Sequence, residues 1–214
     1  MSIQIQSFTF NAFNENTYVL YNDENECIII DPGCSNEKER YSLATFIQSK
    51  KLIPKYLLNT HCHIDHVFGN DYCADKWNLK LYAHENEGIL LENVEKIGAA
   101  YGIEIIANKS IDVFITENDI ISIKNLDLQI LFCPGHSPGS LAFYSASHNF
   151  IIVGDVLFYG SIGRTDFPNC NHQHLIDSIK NKLYTLPAET KVYPGHGPTT
   201  TIGFEQKNNP FVRL

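Results

Sequence analysis

Apolar and polar positions alternate along the first thirty residues, as they do in antiparallel strands with one buried face. This pattern predicts strands at residues 3–10, 17–21 and 27–30, with a turn at 22–25 between the last two. The chain therefore opens with a set of antiparallel strands.

Helical periods and apolar runs follow each other in the rest of the chain. A helix is predicted at residues 36–50, where Leu43, Phe46 and Ile47 fall on one face. Another is predicted from His84 to about residue 101, with acidic residues in its first turn, where the helix dipole favours them. This position gives His84 a structural role rather than a ligand role. The other predicted helices are 67–77, 172–183 and a short final one, and the other predicted strands are 54–58, 79–83, 111–115, 119–123, 126–132, 141–144, 150–153 and 191–193.

Two strand-rich halves, each ending in a helix, predict an α/β or α+β fold with two sheets packed face to face and helices outside. The 214 residues are 43% hydrophobic, and no Pro/Ser/Gly-rich linker divides them. We therefore expect one domain over residues 1–214. Residues 102–110 are loosely patterned and form a candidate lid.

The densest chemical signal is the segment from Thr60 to His66, which contains His61, His63, Asp65 and His66. Imidazole is the commonest nitrogen ligand of zinc-like metals, and Asp adds a hard oxygen ligand. His61 and His63 are two residues apart in an extended segment and point to the same side. Asp65 and His66 follow a turn, so the spacing predicts two adjacent metal sites. A structural zinc site or a histidine-rich surface loop is the alternative.

Three later segments each place one metal-ligand residue after an apolar run. His136 and His196 lie in Gly/Pro turns, and Asp155 follows the strand predicted at 150–153, where its carboxylate is suited to bridge two cations. Asp31, at the end of an earlier strand, suits either a position behind the metal ligands or a turn. The joint occurrence of these residues favours a metal centre.

Charge and composition exclude several classes of function. A formal net charge of −8 argues against nucleic acid as a partner, because phosphate binding relies on clustered Lys and Arg. No basic-then-apolar leader and no apolar run of about 20 residues is present, so we expect a cytoplasmic protein without a membrane partner. The six cysteines lack Cys-x-x-Cys spacing and are expected to be free thiols, with Cys62 pointing away from its histidine neighbours into the core.

The pattern His-x-His-x-Asp-His, followed by a later His, an Asp and a last His, resembles the metallo-β-lactamase superfamily. Gly154 to Phe158, Gly163 to Pro168, Pro194 to Pro198 and Asn209 to Phe211 resemble its glyoxalase II-like branch, in particular the short members. The resemblance implies a four-layer αβ/βα sandwich with the metals at one edge. It also implies one metal on His61, His63 and His136, a second on Asp65, His66 and His196, and Asp155 as the bridge. Zinc is the expected metal, with iron or manganese as alternatives.

The resemblance implies hydrolysis of a small-molecule thioester, such as an S-acylglutathione, by metal-bound hydroxide. Asp65 is expected to fix the attacking water and Asp155 to hold the two metals together. Arg164 is a candidate for binding a substrate carboxylate, or it forms an ion pair with Asp166. Asp166 is alternatively placed to orient a ligand histidine, and Tyr159 to line the pocket or pack beneath it.

Two departures from the family pattern concern the substrate. The chain continues only a short way beyond His196, so the C-terminal helical domain that carries part of the glutathione site in full glyoxalase II enzymes is not expected. Residues 168–171 also differ from the usual Gly-Asp of the short subgroup, which predicts a different pocket rim.

Two other functions compete with the thioesterase. A persulfide dioxygenase of the same superfamily has a similar Gly-x-Gly-Arg-Thr-Asp-Phe segment and by resemblance would hold one iron on His61, His136 and Asp155. A non-catalytic metal-binding protein of the same fold is the second alternative. The oligomeric state is left open by the sequence.

Overall fold

The computed structural model describes residues 3–103, 105 and 110–213, and within this part of the chain two six-stranded mixed sheets pack face to face. In spatial order, the first sheet contains β1 (Gln4–Phe10), β2 (Glu15–Tyr21), β3 (Glu26–Ile30), β4 (Ile53–Leu58), β5 (Leu81–Ala83) and β6 (Val113–Phe114). The second contains β7 (Ile120–Ile123), β8 (Leu126–Phe132), β9 (Leu141–Ser145), β10 (Phe150–Gly154), β13 (Lys191–Pro194) and β14 (Thr200–Thr201). A separate hairpin is formed by β11 (Leu157–Phe158) and β12 (Ser161–Ile162).

Helices cover the outer face of each sheet. They are α1 (Glu37–Ser49), α2 (Ile64–Val67), α3 (Asn70–Trp77), α4 (Gly88–Glu92), α5 (Val94–Ala100), α6 (His172–Ser178) and α7 (Ile202–Asn208), with a 3₁₀ turn at Glu85–Glu87 and a π-helical turn at Ile179–Leu183. The helix predicted at residues 36–50 is thus confirmed as α1, which Asn36 caps by accepting a hydrogen bond from the Glu39 amide.

Strand alternation places the cores. Tyr18 and Leu20 of β2 enter the core between the two sheets, and Val19 between them packs on the helical side. Leu43 of α1 covers that outer face, and Leu175 of α6 covers the outer face of the second sheet. The order of layers is therefore helix, sheet, sheet, helix, which confirms the predicted sandwich.

Two predicted helices are wrong in their continuity. The helix predicted at residues 67–77 is interrupted at Gly69, whose amide donates to the Pro32 carbonyl at 2.7 Å and which leaves no room for a side chain beside Cys34. The helix predicted from His84 to residue 101 is split into the 3₁₀ turn, α4 and α5, and the break between α4 and α5 falls at Asn93, which has a non-helical backbone. Most of the candidate lid, residues 104 and 106–109, lies outside the described residues.

The β11–β12 hairpin was not predicted, and a buried carboxylate holds it in place. Glu205 of α7 accepts hydrogen bonds from the Gly160 amide at 3.0 Å, the Thr200 hydroxyl at 2.6 Å and the Asn209 side chain at 2.8 Å. Asn209 also donates to the Ser161 carbonyl at 3.0 Å. The C-terminal segment thereby fixes the hairpin that follows Asp155.

The remaining structural predictions concern the cysteines, His84 and membrane spans. All six cysteines lie in the described residues and are free thiols, and Cys62 is buried in the core as predicted. His84 caps the 3₁₀ turn and stacks on Phe132, with ring centroids 4.6 Å apart. In the described ranges, no helix has the length and apolar character that crossing a bilayer requires.

Candidate metal centre

The predicted ligands all follow the C-terminal ends of strands. The segment containing His61, His63, Asp65 and His66 follows β4 of the first sheet, whereas His136, Asp155 and His196 follow β8, β10 and β13 of the second. Both sheets therefore contribute to one site at their shared edge, the place where α/β folds build their sites.

Three groups of described side chains in this site could hold a metal ion, and the third, Asp31 with His61 and His66, overlaps the other two. The ligand atoms of His61, His63 and His136 lie within 4.8 Å of one another, and so do those of Asp65, His66 and His196. These are the two sets that the resemblance implies.

Asp155 lies between the two sets. Its Oδ2 is 3.5 Å from Nε2 of His136 and 3.5 Å from Nε2 of His196, and its Oδ1 is 3.5 Å from Nε2 of His66. One carboxylate thus faces members of both sets, as a bridging ligand requires. That the seven side chains hold metal stays a prediction, but the fold brings all of them together.

Main-chain carbonyls orient two of the histidines from behind. His136 Nδ1 lies 2.8 Å from the Arg164 carbonyl, and His196 Nδ1 lies 3.1 Å from the Phe13 carbonyl. A carbonyl only accepts, so each Nδ1 carries the proton and each Nε2 presents a lone pair to the site. Such partners behind the ligands fix both tautomer and ring orientation.

Asp31 and Thr60 orient His66 and His61 in the same way. Asp31 Oδ2 lies 3.2 Å from His66 Nδ1 and accepts the Thr60 hydroxyl proton at 2.6 Å, while the same hydroxyl lies 3.1 Å from His61 Nδ1. Asp31 also accepts from the Thr60 amide at 2.7 Å. Of the two roles the sequence left open for Asp31, the structure supports the one behind the metal ligands.

Several inward-facing atoms fit a cation. Nε2 of His61, Nε2 of His66 and Oδ1 of Asp155 are buried without a hydrogen-bond partner, although buried polar atoms in folded proteins are nearly always paired. Burial lowers the pKa of His61 and His136, and lowers that of His63 to about 3, so these imidazoles are neutral as metal ligation demands. Burial alone would raise the pKa of Asp155, but the nearby imidazoles, His66 first, outweigh it and lower that pKa. Burial opposes the charged form of His66 and His196 as well, but the carboxylates of Asp65 and Asp155 outweigh it and raise the pKa of both. Three of the five imidazoles are thus neutral, and a cation bound by the other two would take the place of their protons.

Glu87 was missed by sequence reasoning and links the two ligand loops. Its Oε2 accepts from the Cys62 amide at 2.6 Å, and its Oε1 accepts from the Gly139 amide at 2.6 Å and the Ser137 hydroxyl at 2.7 Å. Cys62 lies between two ligands of the first loop, and Ser137 follows His136 in the second. Burial raises the pKa of Glu87, and these three hydrogen bonds offset part of the shift.

Glu15 is a second missed carboxylate. It is fully buried, with Oε1 3.9 Å from His66 Nδ1 and Oε2 accepting the Thr17 hydroxyl proton at 2.9 Å. Its sequence signal is an acidic residue at the start of an apolar strand. The alternation of that strand does not place this residue on a solvent-exposed face.

Glycine is required at two points of the site because of close approach. A Cβ at Gly195 would lie 2.1 Å from Asp155 Oδ1, and a Cβ at Gly154 would lie 2.3 Å from the Thr60 hydroxyl oxygen. Gly154 also has a φ of +51°, in the left-handed region that side chains disfavour.

A cavity of about 680 Å³ opens onto the ligands. Arg164 lines it, but both Nε and Nη2 of its guanidinium bind the Asp166 carboxylate, at 2.6 and 2.7 Å, so the ion pair is the arrangement observed. Asp166 neither lines the cavity nor contacts a ligand histidine, because it is engaged by Arg164 at the surface. Tyr159 is also outside the cavity, because its half-exposed ring stacks on Phe204. That Arg164, Asp166 and Tyr159 contact substrate stays a prediction, which the placement of Asp166 and Tyr159 does not favour.

Comparison with known proteins agrees with this geometry. Residues 11–196 match the family described as the metallo-beta-lactamase superfamily. The chain belongs to this superfamily. It is 41% identical over 199 residues to a probable metallo-hydrolase, YqgX, of Bacillus subtilis, covering 92% of each chain. It is 35% identical over 219 residues to the hydroxyacylglutathione hydrolase GloC of Haemophilus influenzae, covering 99% of this chain and 98% of the relative.

Solved structures of the superfamily superpose over nearly the whole chain. A B3 metallo-β-lactamase, BLEG-1, has a TM-score of 0.90 and 36% identity, covering 98% of this chain and 99% of its own. TTHA1623 in a di-iron-bound form has a TM-score of 0.86 and 35% identity, covering 97% of this chain and 100% of its own. The metallo-β-lactamase fold and membership of a superfamily of metal-dependent hydrolases are therefore established for this chain, and the substrate is a separate question.

Proposed function

We propose that this chain is a metal-dependent thioesterase of the glyoxalase II type, cleaving an S-acylglutathione or a related small-molecule thioester. The observation that carries the proposal is the paired ligand set, in which four histidines are fixed from behind and a carboxylate faces both groups. The similarity to a hydroxyacylglutathione hydrolase supports the thioester as the scissile bond. The proposal keeps residues 1–214 as one domain acting in the cytoplasm.

The residues proposed to hold the first metal are His61, His63 and His136. The second is assigned to Asp65, His66 and His196, and each of the two sets has members from both sheets. Divalent cations in such a pair make water a nucleophile near neutral pH and polarise the carbonyl that it attacks. Zinc is the proposed metal, and the similarity to a protein with a di-iron-bound form keeps iron in the test.

The chain's own side chains orient the reaction. We assign to Asp65 Oδ2 the hydrogen bond that aligns the attacking water, because this carboxylate lines the cavity and lies 3.2 Å from Nε2 of His196. Asp155 is assigned the bridge between the two ligand sets. A thiolate is a weak base and leaves without a proton, so no separate general acid is needed.

The first experiment is elemental analysis of protein purified without chelator or added metal, combined with thioester assays. About two zinc or mixed divalent ions per chain together with cleavage of S-lactoylglutathione or another thioester is the expected result. His61→Ala and Asp155→Ala are expected to abolish cleavage while the chain still folds, as judged by circular dichroism. Unchanged cleavage in either variant refutes the proposal.

One outcome would replace the thioesterase by the dioxygenase. Close to one iron per chain, with oxygen uptake on glutathione persulfide and no thioester cleavage, identifies the mononuclear enzyme. The geometry favours the dinuclear hydrolase, because Asp65, His66 and His196 are assembled as closely as the other set.

A further inference from the structure

The wall of the metal-centre cavity has a composition that bears on the substrate. Apart from the ligands, most of the lining side chains are isoleucine, leucine, phenylalanine or tyrosine. They come from separate parts of the chain: Phe13 from the β1–β2 loop, Ile89 and Ile97 from α4 and α5, and Phe158 and Ile162 from the hairpin. A surface assembled from this many segments is a feature of the folded site rather than of one helix.

Within the described residues, the same wall lacks an uncompensated charge. Among the described residues that line the cavity, Arg164 is the only charged one outside the ligand set. Its guanidinium is bound in bidentate fashion by Asp166 and lies 4.0 Å above the Phe167 ring. Glutathione carries two carboxylates and an ammonium group. When charged groups of this kind move from water into a binding site, they need oppositely charged partners or several hydrogen bonds. The cavity wall is poorly matched to that peptide.

Apolar side chains at the cavity also face solvent. Ile89 is 47% exposed and Tyr101 is 51% exposed, and both line the cavity. Apolar surface gathered in a concave site is stabilised when a ligand with matching apolar surface covers it. A volume of about 680 Å³ lies within the usual range for small-molecule pockets, so it has room for an acyl chain beyond the reacting carbonyl.

We infer that the substrate is a thioester with an apolar acyl group, an aliphatic chain of about six to ten carbons or an aryl group, seated against this wall. The inference rests on the proposed thioesterase function and deepens it. The acyl group packs on Ile89, Ile97 and Phe158, and the thioester carbonyl lies in the part of the cavity lined by the candidate ligands His63 and His136. The Arg164–Asp166 pair stays intact at the rim.

The test uses the metal-loaded protein and N-acetylcysteamine thioesters with acyl groups of two, four, six and eight carbons. Burying each methylene contributes about 0.8 kcal/mol at most, so we expect kcat/KM to rise by about two- to fourfold per methylene from four to eight carbons. S-lactoylglutathione is expected to react more slowly than the octanoyl substrate. A flat or falling series, or preference for S-lactoylglutathione, overturns the inference.

A matched pair of variants locates the effect. Ile89→Gln places a polar side chain in the wall at a half-exposed helical position and is expected to flatten the chain-length dependence. Ile120→Gln changes an isoleucine that is 59% exposed on β7, outside the cavity, and is expected to leave the dependence unchanged. An unaltered slope in Ile89→Gln contradicts the placement of the acyl group.

Binding of unreactive analogues separates this inference from the proposed function. Ketone thioethers, in which a methylene is inserted between sulfur and carbonyl, are titrated calorimetrically over the same chain lengths. Affinity that rises with length while every thioester resists cleavage supports the apolar site and refutes the thioesterase. Cleavage of thioesters with no length dependence in rate or affinity supports the thioesterase and overturns the apolar acyl group.

Discussion

Glu87 gives the sharpest test of how the metal centre is held. Its carboxylate accepts three hydrogen bonds of 2.6 to 2.7 Å, one from the loop of His61 and His63 and two from the loop of His136. In Glu87→Gln the amide nitrogen replaces one oxygen, so at least one buried donor faces another donor. Leaving such a group unsatisfied costs about 1–3 kcal/mol. For a chain of this length that corresponds to a Tm lower by about 2–12 °C.

The expected loss of metal affinity is of the same size in free energy as the loss of stability. Because Glu87 sets the distance between the two loops, we expect Glu87→Gln to weaken metal binding by about 10- to 100-fold. Competition with a coloured chelator measures the affinity, and thermal unfolding without metal measures the stability. Both are read on the same protein preparation.

Glu205→Gln is the matched control. Glu205 is also fully buried and also accepts three hydrogen bonds, but from Gly160, Thr200 and Asn209 rather than from the ligand loops. It should lower Tm to a similar degree and leave metal affinity near that of the unmodified chain. If Glu87→Gln loses stability but keeps full metal affinity, Glu87 contributes to folding alone and our reasoning about the loops is refuted.

Three further predictions concern other residues of the site. Thr60→Val removes the hydroxyl between Asp31 and His61, and we expect metal affinity to fall by about 10- to 100-fold in the chelator competition. Unaltered affinity would show that this hydroxyl does not help to orient His61. Gly195→Ala puts a methyl group 2.1 Å from Asp155 Oδ1 and should lower the metal content found by elemental analysis, and full occupancy would disprove the crowding. Tyr159→Ala removes a ring stacked on Phe204 and should cost about 1 kcal/mol in unfolding by denaturant while kcat/KM is retained, whereas a tenfold loss of kcat/KM would return Tyr159 to the substrate site.

That the candidate ligands lie together could be predicted because local sequence patterns mark them. His61, His63, Asp65 and His66 are compressed into six residues, and His136 and His196 each stand in a Gly/Pro turn after an apolar strand. Such signals need no knowledge of tertiary contacts. The sandwich followed from strand periodicity together with the resemblance.

What holds the ligands was much less visible. The Arg164 and Phe13 carbonyls orient histidines far away in sequence, and every residue has a carbonyl, so no side-chain pattern marks them. Glu87 lies in an acidic first turn that the helix dipole already explains, so nothing in the pattern indicated that its side chain points into the protein. The break at Asn93 was not predicted either, whereas the ion pair between Arg164 and Asp166 was one of the two roles left open for Arg164.

Because the candidate ligands are divided between the two sheets, a bound metal would link the metal supply to the stability of the folded chain. One sheet carries the segment of His61 to His66, and the other carries His136, Asp155 and His196. Each ligand set has members from both sheets, so a metal ion would bind when the sheets are packed together and not when they are separated. By mass action, free metal at 100 times its dissociation constant would stabilise the native state by about 2.7 kcal/mol. The cellular concentration of the metal would then regulate how much of this protein persists, as well as how fast each copy works.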